Sequence, residues 1–388
     1  MPLLEEALRG IGDDDVVRRI EILNGIASDL YYTDAEREGQ LARDAVALAE
    51  NCPDPAGRAT AQLALHRWYT HQPQARRERL DLALTALQSL ADSGEPRELQ
   101  LLIHRSLLSD LIENALVGEF DASLDDYERA ATQFGRPRDI YWAMAMRATQ
   151  ATLHGDLVAG EQLGRGAAMR GHELEQSSAG AYILQRFVVR YQQARLAEEV
   201  ANLRQVGGAG SVFRAGAALV AVACAEVGQM ERAAIIARDT LGPDGTALPG
   251  DVFWLAAVAL FADVGVVTDD RELLELVHSL LTPCADHVVV FGTGGAVLGP
   301  GHQWLGQIDA ACGRTERALE HFAQAMAISQ RIDAPYWLAQ AMASSAAGMR
   351  ERGRPADQRE IERLLHGARA LAARGGYGRV LAQVDALA

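Results

Sequence analysis

The sequence predicts an all-α fold, a right-handed solenoid of stacked helix pairs. Three observations lead there: apolar residues recur at helical spacing almost throughout, Pro/Gly signals interrupt them about every 15 to 20 residues, and one short unit returns at a nearly fixed interval. Leu41, Ala42, Ala45, Val46 and Ala49 fall at i, i+3, i+4 and i+7 spacing and make one apolar stripe; Leu80, Leu84, Leu87 and Leu90 make another. Asp13, Asp14 and Asp15 precede a periodic stretch and read as its N-cap. Stops are expected at Pro53–Gly57, Gly94–Pro96, Gly135–Pro137, Gly242–Gly245 and Arg352–Pro355, because proline cannot continue a helix and glycine terminates one at little steric cost. Val288–Phe291 is the one β-branched run and reads as an extended connector.

The returning unit is a glycine followed five positions later by a small residue, at the turn between two helices: Gly118/Ser123, Gly155/Gly160, Gly228/Ala233 and Gly313/Ala318. A degenerate copy has Ala194 in place of the glycine. Gly118, Gly155, Ala194 and Gly228 are thus 37, 39 and 34 residues apart, and the 85 residues from Gly228 to Gly313 leave room for one more pair around Asp269–Leu281. This spacing resembles the tetratricopeptide repeat (TPR), a helix–turn–helix unit of about 34 residues. The best copy places Leu305 and Gly306 on a first helix and Ala318, Phe322 and Ala325 on a second. Small residues there let paired helices approach while Phe322 fills the space between units. Residues 1–388 are accordingly expected to form a single TPR-like α-solenoid of about eight to ten helix pairs.

A narrower resemblance rests on Leu30-Tyr-Tyr-Thr-Asp34, Ala64-Leu-His-Arg67, Asp251-Val-Phe-Trp254, Leu281-Thr-Pro283 and Ala318-Leu-Glu-His-Phe322. In this order they resemble the TPR-like C-terminal region of large bacterial ATP-binding regulators, which join an AAA-type or STAND ATPase to LuxR-type DNA-binding, cyclase or kinase domains. The resemblance implies a sensing array and covers the whole chain. It does not extend to a P-loop, a terminal helix-turn-helix or a cyclase domain, so ATPase and DNA-binding activities are not carried over.

Composition excludes several functions. Asp and Glu number 52 against 37 basic residues, for a net charge of −15, so the chain as a whole repels phosphate backbones and no direct nucleic-acid partner is expected. The chain has no lysine, and all 37 basic residues are arginine. That removes the Walker A lysine, the kinase strand lysine and the Schiff-base amine of pyridoxal-phosphate chemistry. Cys52, Cys224, Cys284 and Cys312 are too dispersed for a zinc site or a disulfide framework. No apolar run reaches the roughly 18 residues that span a bilayer, and Glu5 and Glu6 stand where a secretory leader would be basic. A cytoplasmic setting with no membrane partner is expected.

First helices of a solenoid line its concave face. The expected binding residues there are Arg67, Tyr69, Arg105, Asp110, Trp142, Arg147, Gln185, Arg190, Trp254 and Gln303. Arginine captures carboxylate or phosphate with two parallel hydrogen bonds, and aromatic rings supply flat contact area. Gly292–Gly301 lacks the strand–loop–helix context of a dinucleotide site and is expected to be a flexible loop, a lid over the end of the groove. His66 and His71 are five apart, off one helical face, and no H-E-x-x-H or G-x-S-x-G motif occurs. No metal ligands, cofactor or catalytic residues are assigned. The function expected is recognition, with a small molecule or a partner protein or peptide in the concave groove of a signalling or transcriptional regulator. The alternatives are an enzyme using acid–base or cyclisation chemistry on a natural product, and an adaptor forming a homodimer through its end repeats.

Overall fold

A computed structural model describes residues 2–12, 14–91, 97–173, 179–206 and 214–387; the turn expected at Gly94–Pro96 and Asp13 of the acidic run lie outside the described residues. Among the described residues the chain is all-α apart from one hairpin, and its helices pack in adjacent pairs. After α1 (Pro2–Gly10) come α2 (Val16–Leu30) with α3 (Ala35–Ala49), α4 (Pro55–Tyr69) with α5 (Arg76–Ala91), α6 (Arg97–Glu113) with α7 (Val117–Phe134), and α8 (Pro137–Leu153) with α9 (Leu157–Glu173). α10 (Ala179–Gln193) is followed by the short α11 (Val200–Val206). Then come α12 (Gly216–Glu226) with α13 (Met230–Leu241) and α14 (Trp254–Thr268) with α15 (Arg271–Leu281). The hairpin strands β1 (Val288–Phe291) and β2 (Ala296–Pro300) precede α16 (Gly301–Ala311) with α17 (Thr315–Arg331), α18 (Pro335–Arg352) with α19 (Gln358–Gly375), and α20 (Gly378–Ala386).

The local chemistry of helix ends accounts for this segmentation. Asp15, Asp34, Asp54 and Asp270 accept hydrogen bonds from the backbone N–H three residues on, at the starts of α2, α3, α4 and α15. At the other end, α6, α8, α10, α12, α14 and α16 all finish in the same left-handed turn, on Ala115, Gly155, Ala194, Gly228, Asp269 and Gly313. In each the next N–H reaches back to a carbonyl of the last helical turn, as Leu116 N to Leu111 O (2.9 Å) and Arg314 N to Asp309 O (2.8 Å) do. These turns are the structural repeat. They place Ala194 (φ 56°) where the sequence reading had it, but the first copy turns on Ala115, three residues before Gly118, which lies inside α7. The pair expected around Asp269–Leu281 is α14 with α15. In the best copy, a Cβ on Gly306 would sit 2.6 Å from the Phe322 ring, with Ala318, Phe322 and Ala325 all buried.

The interior is where the structure departs most from expectation. Val288–Phe291 is a strand rather than a connector. It pairs antiparallel with Ala296–Pro300, with Val290 opposite Val297 and Phe291 opposite Ala296. Gly292–Gly301 is therefore neither a flexible loop nor a lid. Every residue of both strands is buried, and the hairpin contacts α6, α8, α10, α14, α16 and α17. Thr149 Oγ donates to Gly294 O (2.8 Å), Trp304 Nε1 donates to Leu298 O (2.9 Å), and Gly299 lies on the Trp337 ring. The first helices of four pairs, together with α10, thus converge on one hairpin, which fills the middle of what was expected to be an open groove. Burial on both faces also explains why its strands show no polar/apolar alternation.

The winding brings distant pairs together. Arg76 Nη1 donates to Asp286 O (2.6 Å), and His287 Nε2 donates to Pro73 O (2.8 Å). The other nitrogen of His287, Nδ1, is buried with no hydrogen-bond partner among the described residues. Burial, reinforced by the nearby Arg76 and Arg79 and only partly opposed by Asp286, pushes the His287 imidazole down to about 4. Protons then bind the unfolded chain before the folded one, so this contribution is intact above pH 6.5 and is lost as pH falls toward 4. The expected loss is roughly 3 kcal/mol by pH 4. Urea unfolding at pH 7, 5 and 4 checks it: His287→Gln should show a shallower acid decline than the unsubstituted protein, and parallel curves would refute this role.

Candidate functional site

What the hairpin leaves open is a cleft of about 460 Å³ at the N-terminal pairs. Tyr31 and Tyr32, just past α2, form one side, Leu63, His66 and Arg67 of α4 with its C-cap Thr70 the floor, and α6 the opposite side, with Arg79, Arg138, Val252 and Thr293 completing it. The α6 contribution is one helical face, Leu102, Arg105, Ser106, Ser109, Asp110 and Glu113, at i, i+3, i+4, i+7, i+8 and i+11. Tyr31 is fixed at both ends of its hydroxyl, donating to Thr70 Oγ (2.9 Å) while accepting from Val252 N (3.4 Å). Burial raises its pKa, so it stays a phenol.

The acids of the cleft are already neutralised. Asp110 accepts from His66 Nε2 at 2.6 Å, and Arg79 Nε lies 3.7 Å from its other oxygen. Arg79 also pairs with Glu113. Burial raises the Glu113 carboxyl, with the neighbouring Arg79 guanidinium pulling in the opposite sense. Because a carboxylate only accepts, the His66 proton sits on Nε2, and Nδ1 has no protein partner among the described residues. Behind the floor, the buried Glu38 receives Arg67 Nε (3.0 Å) and His71 Nε2 (2.9 Å), and His71 Nδ1 donates to Gly250 O (2.5 Å). Burial alone would lower His71; its bonds to Glu38 and Gly250 outweigh that and hold it above the ordinary range, as a cation with both nitrogens donating.

Two cations are left over. Arg105 stacks over the Trp142 ring at 4.8 Å and, among the described residues, has no carboxylate within salt-bridge distance. Arg138 lines the same cleft and likewise has none. Burial, then the like charge of Arg138, lowers the Arg105 guanidinium, yet it remains charged at neutral pH. The cleft therefore carries two guanidinium groups that, among the described residues, have no carboxylate within salt-bridge distance, the nearby Asp139 acting on Arg105 only from farther off, in a chain of net charge −15.

Of the residues expected from sequence, Arg67, Arg105 and Asp110 line the cleft, and Trp142 backs Arg105. The others go elsewhere. Tyr69 stacks beside Trp68, and Arg147 is tied to Asp125 and Glu128. Arg190 forms a two-pronged pair with Glu161, and Gln185 donates to Ala145 O beside the hairpin. Trp254 packs on the core, and Gln303 is fully buried with its amide directed at Ser344. Sequence reasoning missed Tyr31, Tyr32, Arg79, Glu113, Arg138 and Thr293. One signal was present: the short motifs Leu30–Asp34, Ala64–Arg67 and Asp251–Trp254 all meet at this cleft.

No group of three or more His, Cys, Asp or Glu side chains among the described residues is placed to hold a metal. A second polar cluster, around the buried Asp309, is a charge-compensated network: Arg314 Nε lies at 2.6 Å, His278 Nε2 at 3.3 Å and His321 Nε2 at 3.6 Å. The described cysteines are unpaired, and burial pushes the Cys284 thiol up to about 11, leaving it protonated. Among the described residues no helix is long and apolar enough to cross a membrane.

No family model matches the chain, and no curated protein matches it. Among solved structures it is similar to Ton1535 from Thermococcus onnurineus NA1, at 16% identity over 99% of this chain and 96% of that one, with a TM-score of 0.29. A likeness that low carries no argument about fold or function.

Proposed function

We propose that this chain is a cytoplasmic binding module, a right-handed TPR-like solenoid that takes a small anionic molecule in its N-terminal cleft as the sensor part of a bacterial regulator. The observation that carries the reading is the pair Arg105 and Arg138, two guanidinium groups with no carboxylate within salt-bridge distance among the described residues, beside a cleft whose own acids already have partners. Cations left unpaired in an acidic protein are what an anion would complete. The size of the cleft, about 460 Å³, suits a metabolite. The buried hairpin removes the room that an extended peptide along the interior would need. The regulatory role is supported by the motifs resembling sensor arrays, three of which border this cleft.

The test is a thermal-shift screen of small carboxylates and phosphates on the whole chain. A true ligand should stabilise it by about 2.7 kcal/mol at a hundredfold excess over Kd. The gain should vanish in Arg105→Gln/Arg138→Gln. Stabilisation that survives the double substitution would overturn the assignment of the site.

A second reading, an enzyme, is favoured by His66, whose Nε2 is held by Asp110 at 2.6 Å while Nδ1 is left without a protein partner. That arrangement is the orienting half of an acid–base pair. The two readings separate by recovering bound ligand after incubation. A receptor returns it with unchanged mass. An enzyme returns product, and His66→Asn then stops conversion without abolishing binding.

A further inference from the structure

We infer that the ligand is an amphipathic aromatic acid: its acidic group rests on Arg105 and Arg138 and its flat apolar body extends toward Tyr32. This deepens the anion-binding reading and rests on it. The cleft is far larger than an inorganic ion requires, at about 460 Å³. Its α6 wall runs from Leu102 to Glu113, roughly 16 Å at 1.5 Å per residue. The two free guanidinium groups stand at the Leu102 end of that wall, and Glu113 at the other end is already committed to Arg79. An anion at the arginines is therefore opposed by no unpaired carboxylate, whereas a cationic ligand would find no free acid.

The rest of the ligand is set by apolar groups that the fold leaves uncovered. Tyr32 is 66% exposed and Leu102 38% exposed, and both line this cleft beside the buried Leu63. Tyr32 is not a loose surface residue: it meets the half-buried Tyr31 ring edge-to-face, with centroids 4.6 Å apart at 89°. Tyr31 in turn is pinned by Thr70 and Val252. A fixed, uncovered tyrosine ring in a cleft that also holds Leu63 and Leu102 selects a flat partner over a flexible chain, because stacking geometry adds to area burial and little ligand freedom remains to be lost. The Ser106 and Ser109 hydroxyls and His66 border the middle of the path and accommodate a polar substituent there.

Isothermal titration of the full chain with four probes tests this: 4-phenylbutyrate, hexanoate, 4-phenylbutylamine and inorganic phosphate. The expected order places 4-phenylbutyrate at least tenfold tighter than hexanoate, with inorganic phosphate weaker still and the amine without measurable binding. Arg105→Gln should weaken 4-phenylbutyrate at least tenfold. Exposed Arg138→Gln should weaken it severalfold, which keeps the test decisive should the first variant misfold. Tyr32→Ala should bring 4-phenylbutyrate to the level of hexanoate and leave hexanoate unchanged, and Arg147→Gln, far from the cleft, should alter neither. Equal affinity for the two acids with an inert Tyr32→Ala overturns the aromatic class while the anion site stands. An amine that binds as well as the acids, acids indifferent to both arginine substitutions, or no acid binding at all overturns the anion reading itself.

Discussion

Gly299→Ala is expected to cost about 3 kcal/mol, the sum of two effects that a single methyl group triggers. Gly299 adopts φ +73°, a conformation strained for any residue with a Cβ, and that Cβ would lie 2.2 Å from Trp337 Cδ2. Trp337 is 2% exposed and sits between Trp304 and Tyr336, so it has nowhere to retreat. Gly228→Ala separates the two effects: its φ is +80°, but nothing lies within 4 Å of the added atom, so only the conformational cost of about 1 kcal/mol is expected. Chemical denaturation of both variants measures the difference. Equal losses would mean that the hairpin is not clamped against α18 as described.

Arg379→Ala should be comparably severe, about 3 kcal/mol, and should release the C-terminal helix. Arg379 on α20 lies over the Tyr191 ring of α10 at 4.0 Å, donates to Asp263 of α14 at 2.6 Å, and approaches Glu226 of α12 at 3.5 Å. One guanidinium therefore ties together four elements distant in sequence. Removing it strands Asp263, which is 7% exposed, without its counter-ion, and leaves Tyr191 as that carboxylate's remaining hydrogen-bond donor. Hydrogen exchange should rise across α20 before the rest of the chain responds. Asp263→Ala in the same chain should recover part of the loss, since the stranded charge is then gone. An additive double variant would show that the two residues do not interact.

The helices and many of their ends were legible in the residues. A helix is a local object: the stripe of Leu41, Ala45 and Ala49, the cap at Asp15 and the glycine turns at 155, 228 and 313 act within a few residues of one another. Ala194 was readable as the place where a glycine should stand, and the structure gives it φ 56°. The error at Gly118 has a simple origin. Glycine marks a left-handed turn only when it is used as one, and Ala115 adopts that conformation at a cost of about 1 kcal/mol while Gly118 lies inside α7.

The hairpin and the cleft were not legible, for reasons of distance. Ala296–Pro300 contains a glycine and a proline, and nothing in that stretch announces a strand. It becomes one because helices enclose it on both faces and β1 supplies its backbone partners. In the cleft, His66 meets Asp110 across 44 residues, and Tyr31 meets Val252 across 221. The sequence by itself determined the helices, the acidic charge, the absence of lysine chemistry and most of the turns, because each is fixed by composition or by neighbours along the chain. Only the tertiary structure decided that the interior is filled and that Arg105 and Arg138 stand unpaired beside Tyr32. Pairing and exposure depend on which helices the winding brings together, and no local pattern records that.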